Sequence, residues 1–170
     1  KRTFSMSINV HIGIAFLIFL LAETVGLWFL NTHINIPTER MKAANWVYQF
    51  SIFTFLINII RVPYHATIVA YEKMSFYAYL SIIEVLLKLG VVFLIQISPL
   101  DKLIFYGFLI FVVSVFILLV YKIYCNKNFD AANYNFFWDT KLFKTLISFS
   151  GWSLFGSAAN VSSKQGTDIL

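Results

Sequence analysis

Glu84 and Lys88 stand four residues apart in an otherwise hydrocarbon stretch, SIIEVLLKLGVVFLI, at 81–95. Tyr77, Ser81, Glu84 and Lys88 follow steps of four, three and four, which puts them on one helix face. A Glu four residues before a Lys is the favourable order for a pair along a helix. Thr54, Asn58, Arg61 and His65 repeat the spacing, Ser51 extends the line, and Pro63 beside Arg61 is expected to kink that helix. Ser153, Ser157, Asn160, Lys164 and, one step on, Asp168 form a third stripe, and Glu23 is a lone acid among apolar residues.

The chemistry open to such stripes is the handling of charge inside an apolar medium. Arg61, Lys88 and Lys164, with Asn58, His65 and Asn160, are candidates to line a path for a charged passenger. Glu84, Glu23 and Asp168 are candidates to hold those cations or to titrate and couple transport to an ion. For any single residue an ordinary structural ion pair is the competing reading. Three aligned stripes favour a shared interior or a water-filled cavity. The chain contains no GxSxG, P-loop, HExxH or CxxC motif, so no catalytic residue is expected and the chain does not read as an enzyme. One His on a stripe makes no metal site, and no cofactor is expected.

The elements that must position these residues follow from composition. The 170 residues are 59% hydrophobic and only 12% charged, and nineteen are Phe, more than a core of this size hides. Lipid is the implied solvent, and the fold class is all-α, a polytopic membrane helix bundle. Five apolar segments run from about Ile8 to Leu30, Ala44 to Ala70, Phe76 to Ile97 and Leu103 to Tyr124, with a fifth from near Ser148. The two abrupt ends suggest a piece of a longer membrane protein. The fourth segment carries only Tyr106 and Ser114 in weak alignment and is expected to be the most lipid-exposed or a purely packing helix. Residues 1–125 thus read as four spans of one lobe, 126–147 as a connection, and 148–170 as the start of a second lobe. WDTKLFKTLISF, at the end of that connection, reads equally as an interfacial amphipathic helix or as a lead-in to the fifth helix.

Basic residues give the orientation. Lys1, Arg2, Lys73, Lys122, Lys127, Lys141 and Lys144 fall on one side, and Arg40, Lys42 and Lys102 on the other. The richer side is expected to be cytoplasmic. The net charge of +5 therefore points to membrane topology and lipid, not nucleic acid. Counted from that side, Arg61 and Glu84 each lie about eight to nine residues in, with Lys88 one turn deeper, so the three are expected around one cavity. The single Cys125 can form no intrachain disulfide.

The runs LNTHINIPTERMKAANWVYQFSI, RVPYHATIVAYEKMSFYAYLSIIEVLLKLGVVFLI and FSGWSLFGSAANVSSKQGTDIL resemble the polysaccharide or O-antigen flippases of the MATE-like exporter superfamily, particularly those of Bacteroidetes-type bacteria. The resemblance lies in the IP.ER..AA loop, the P..A...AYEKM.FYAYLSI.E..LKL run and the GW.LFG start of segment five. It implies 12–14 spans in two six-helix lobes, of which this chain would be spans three to seven. It implies alternating access around a cationic cavity and, as passenger, an oligosaccharide on undecaprenyl diphosphate crossing the bacterial inner membrane. Polysaccharide assembly machinery is an implied partner. A cation-coupled antiporter of the same superfamily, using Glu23 or Glu84, is the alternative. A membrane-embedded glycosyl- or acyltransferase stands further behind, because NTHINIPTER is short for a catalytic loop.

Overall fold

The structure is a computed structural model and describes residues 1–34, 36–99, 101–136 and 138–167, the side chains of 154, 155 and 158–167 excepted. Every regular element among the described residues is helical. α1 (Arg2–Leu21) passes through a π-helical turn (Ala22–Gly26) into α2 (Leu27–Thr32). A short 3-10 turn (Thr38–Arg40) leads into α3 (Met41–Ala70), followed by α4 (Met74–Ile97) and α5 (Lys102–Asn128). A second 3-10 turn (Asp130–Ala132) precedes α6 (Thr140–Thr167).

Four helical stretches are long and apolar enough to cross a membrane: Arg2–Thr32, Thr38–Ala70, Met74–Ile97 and Lys102–Asn128. The shortest, α4, has 24 residues, about 36 Å of helix against about 30 Å of hydrocarbon. These features mark a membrane-embedded, multi-pass chain. α6 is one continuous helix from Thr140, capped by Asp139, whose Oδ1 accepts from the Lys141 and Leu142 amides at 2.8 and 3.3 Å. The segment 140–147 is thus a lead-in to the fifth apolar segment and not a separate helix. By its described residues, α6 is not one of the four spanning candidates.

α3 is the hub. It packs along α5 on one side and α1 on another, while α4 lies mainly against α5 and touches α3 more sparingly. The buried set includes Phe4, Ile8, Tyr64, Ile68, Leu80, Ile117, Tyr121 and Cys125, nearer the end that carries Lys1 and Lys73. The fourth apolar segment is therefore not the most exposed span. α5 contributes Gly107, Val113, Ser114, Ile117, Tyr121 and Cys125 to the interior, whereas α4 buries only Leu80 and Val91. Between Leu103 and Tyr121 α5 carries no charged residue, so it can turn several faces inward without burying a charge, and it does so. α4 presents Ile82, Ile83, Val85, Leu86, Val92 and Phe93 outward, as a lipid-facing surface does.

Contacts at the two ends agree with the up-and-down path. At one end Tyr71 stacks on Phe129 (4.3 Å) and Phe76 on Tyr124, while Tyr134 and Asn135 return to Asn9 and Ser5 on α1. At the other, Arg40 pairs with Asp101 at 2.8 Å. Pro63 interrupts no helix, since α3 runs unbroken through it, and Thr67 donates its hydroxyl to the Pro63 carbonyl at 2.8 Å.

Candidate functional site

α3 and α4 are joined by Tyr71, Glu72 and Lys73. The Lys73 amide donates to the Ile68 carbonyl and the Glu72 amide to that of Val69, both at 3.0 Å. This is a Schellman closure with Glu72 in the left-handed region at φ 57°. The reversal sets the register of the polar faces on the two helices. Arg61 on α3 donates from Nη1 to Glu84 Oε2 on α4 at 2.9 Å. Lys88, one turn along, donates from Nζ to the other oxygen, Oε1, at 2.7 Å. One carboxylate thus holds two cations, one on each oxygen.

Arg61 and Glu84 line a cleft of about 350 Å³ together with Asn58, Val62, His65, Tyr77, Ser81 and Tyr121, and Lys88 adjoins it through Glu84. His65 packs against Tyr77 with ring centres 4.6 Å apart, and the Arg61 guanidinium carbon lies 5.7 Å from the Tyr121 ring centre, a cation–π distance. Side-chain exposure is 25% for Arg61 and 21% for Glu84 but 47% for Lys88, so Lys88 stands at the edge of the network and not inside it. Ser81 satisfies its hydroxyl on the Tyr77 carbonyl of its own helix at 2.9 Å.

The structure brings together Arg61, Lys88, Glu84, Asn58 and His65. It does not bring Glu23 to them. Glu23 sits in the π-helical turn, where its Oε2 accepts from Gln49 Nε2 at 3.2 Å. Gln49 is twelve residues before Arg61 on α3, about 18 Å along the axis. Glu23 therefore holds no cation of this cleft. Among the described residues its Oε1 is buried with no hydrogen-bond partner, as is the Thr54 hydroxyl. The side chains of Asn160 and Lys164, and Asp168 altogether, lie outside the described residues.

Two features were not anticipated. Tyr121 on α5 is part of the cleft wall, and its signal was available, since it lies seven residues after Ser114 on the same helical face. The Glu23–Gln49 contact had a weaker signal, because Gln49 lies outside the stripe that runs from Ser51 to His65. Beside it, the Tyr48 hydroxyl donates to the Ala22 carbonyl at 2.8 Å and comes so close to Gly26 that any Cβ there would overlap it. Among the described residues, no group of three or more His, Cys, Asp or Glu side chains gathers as a metal site would require. Comparison with known proteins finds no matching family model, no matching curated protein and no matching solved structure.

Proposed function

We propose that this chain is part of an exporter that moves a lipid-linked oligosaccharide, carried on undecaprenyl diphosphate, across the bacterial inner membrane by alternating access. In this reading α6 supplies a fifth span and opens a second lobe. The protein carries 12–14 spans in all, and the residue 1 end faces the cytoplasm. No catalytic step is assigned to it. The observation that carries the proposal is the charge balance beside the cleft. Arg61 and Lys88 share the single carboxylate of Glu84, which leaves one positive charge uncompensated within the trio. An unmatched charge among spanning helices is costly and favours an anionic partner. A diphosphate is such a partner, and Arg and Lys are the side chains that bind it. Asn58, Ser81 and the Tyr77 and His65 rings beside them suit a sugar.

The test uses the full-length protein in a host lacking its own flippase. Arg61→Ala, Lys88→Ala and Lys164→Ala are made singly, membrane abundance is checked, and surface polysaccharide is scored. Loss of polysaccharide at normal abundance is the expected result. Normal polysaccharide from all three removes the path and leaves packing pairs.

One observation favours a second reading, a cation-coupled small-molecule antiporter. The buried oxygen of Glu23, unpartnered among the described residues, is a place for a coupling ion. In that case Glu23→Gln abolishes ion-driven efflux of small cations and leaves surface polysaccharide unchanged.

A further inference from the structure

Beyond its net charge, the network has a particular shape. The two oxygens of Glu84 sit on one carbon and each accepts from a different cation, Arg61 at 2.9 Å and Lys88 at 2.7 Å. A phosphate offers the same arrangement, two oxygens on one centre each accepting from its own donor. Glu84 is also a wall of the cleft, beside Arg61, Asn58, Tyr77 and Ser81, so an anion in that space meets the carboxylate and Arg61 directly, with Lys88 held just beyond on the other oxygen of Glu84. Resting on the reading of this cleft as an anion path, we infer that Glu84 is an internal counter-anion whose carboxylate holds the place of the substrate phosphate until the substrate displaces it.

Physical reasons support such a device. A tethered carboxylate acts at a high effective concentration. It excludes weak monoanions, which gain too little from the two cations to dislodge it. A diphosphate, with one charge on each phosphoryl group, can neutralise both cations, which one carboxylate cannot. When the pocket opens on the far side, the returning carboxylate competes the phosphate off. Selection and release then come from one residue. A purely structural Glu84 behaves in the opposite way, since it would hold Arg61 and Lys88 in the posture that binds an anion.

The two roles separate in a binding measurement on the purified full-length protein in detergent. Glu84→Gln keeps the size of the side chain and removes its charge. Titration with inorganic pyrophosphate is expected to show roughly tenfold or greater tightening over the unaltered protein, and Arg61→Ala in the Glu84→Gln background is expected to abolish the gain. Glu84→Asp is too short to reach both cations and is expected to tighten binding less; it carries the test if the Gln variant does not fold. Farnesyl diphosphate forms a second arm. Tightening toward pyrophosphate assigns the place to phosphate itself, and tightening toward farnesyl diphosphate alone assigns it to a lipid-borne phosphate. Unchanged or weaker binding of both probes by the folded Gln variant, or by the Asp variant in its place, overturns the counter-anion. If that happens while Arg61→Ala still loses surface polysaccharide, the path survives without it. If binding tightens while polysaccharide is normal in all three cation variants, the site binds phosphate but the transport path fails.

Discussion

Arg61 and Glu84 meet at 2.9 Å across two helices whose backbones otherwise touch sparingly. The contact depends on the tight reversal between them. A one-residue shift rotates a helix face by about 100° and carries Glu84 away from Arg61. The closure at Glu72 therefore matters to the site as much as the charges do.

Glu72 holds a positive φ that glycine adopts without steric cost. Glu72→Gly is expected to stabilise the fold by roughly 0.5–1 kcal/mol. The unfolding midpoint in detergent is the measurement. A lowered midpoint would show that the Glu72 side chain makes a stabilising contact of its own.

Removing the shared carboxylate strands two cations. Glu84→Ala is expected to cost about 1.5–3 kcal/mol, the range for hydrogen bonds to charged groups. Arg61→Ala together with Glu84→Ala should cost less than the sum of the singles by about 1 kcal/mol or more. Additive losses in a double-mutant cycle would mean that the pair is not coupled.

Gly26 accommodates the Tyr48 hydroxyl where a methyl group would collide with it. Gly26→Ala is expected to destabilise by about 1–3 kcal/mol, as overpacking does. Tyr48→Phe removes the colliding oxygen and should recover part of the loss, at the expense of the bond to Ala22. If the double variant is no more stable than Gly26→Ala, the collision is not the cause.

Asp101 performs two tasks. Its Oδ2 accepts from exposed Arg40, and its Oδ1 caps α5 through the Leu103 amide at 3.0 Å. Exposed ion pairs contribute roughly 0.2–1 kcal/mol, and loss of a cap costs typically ~1 kcal/mol. Asp101→Ala should therefore destabilise more than Arg40→Ala. Equal losses would place the whole effect in the ion pair.

Orientation is open to direct labelling. Cys125 is fully buried, and Cys125→Ser gives a background for single cysteines. In intact cells a membrane-impermeant thiol reagent is expected to label Lys102→Cys and to spare Lys127→Cys. The reverse pattern would invert the topology drawn from the basic residues.

The sequence by itself determined the medium, four of the five spans its apolar segments imply, and the shared level of Arg61 and Glu84. These depend on quantities local to the chain: apolar length, helical period, and distance from a common turn. The bounds of α3 and α4, Met41–Ala70 and Met74–Ile97, differ from the sequence reading by at most three residues. Tertiary structure alone decided which faces meet. It turned α5, which is uncharged from Leu103 to Tyr121, inward, added Tyr121 to the cleft and left α4 facing largely outward. It also placed Glu23 against Gln49 and, among the described residues, not beside a cation. The reason is that periodicity fixes which residues share a face, while the partner of that face is set by packing among helices distant in sequence, where shape and desolvation choose between neighbours of equal apolarity.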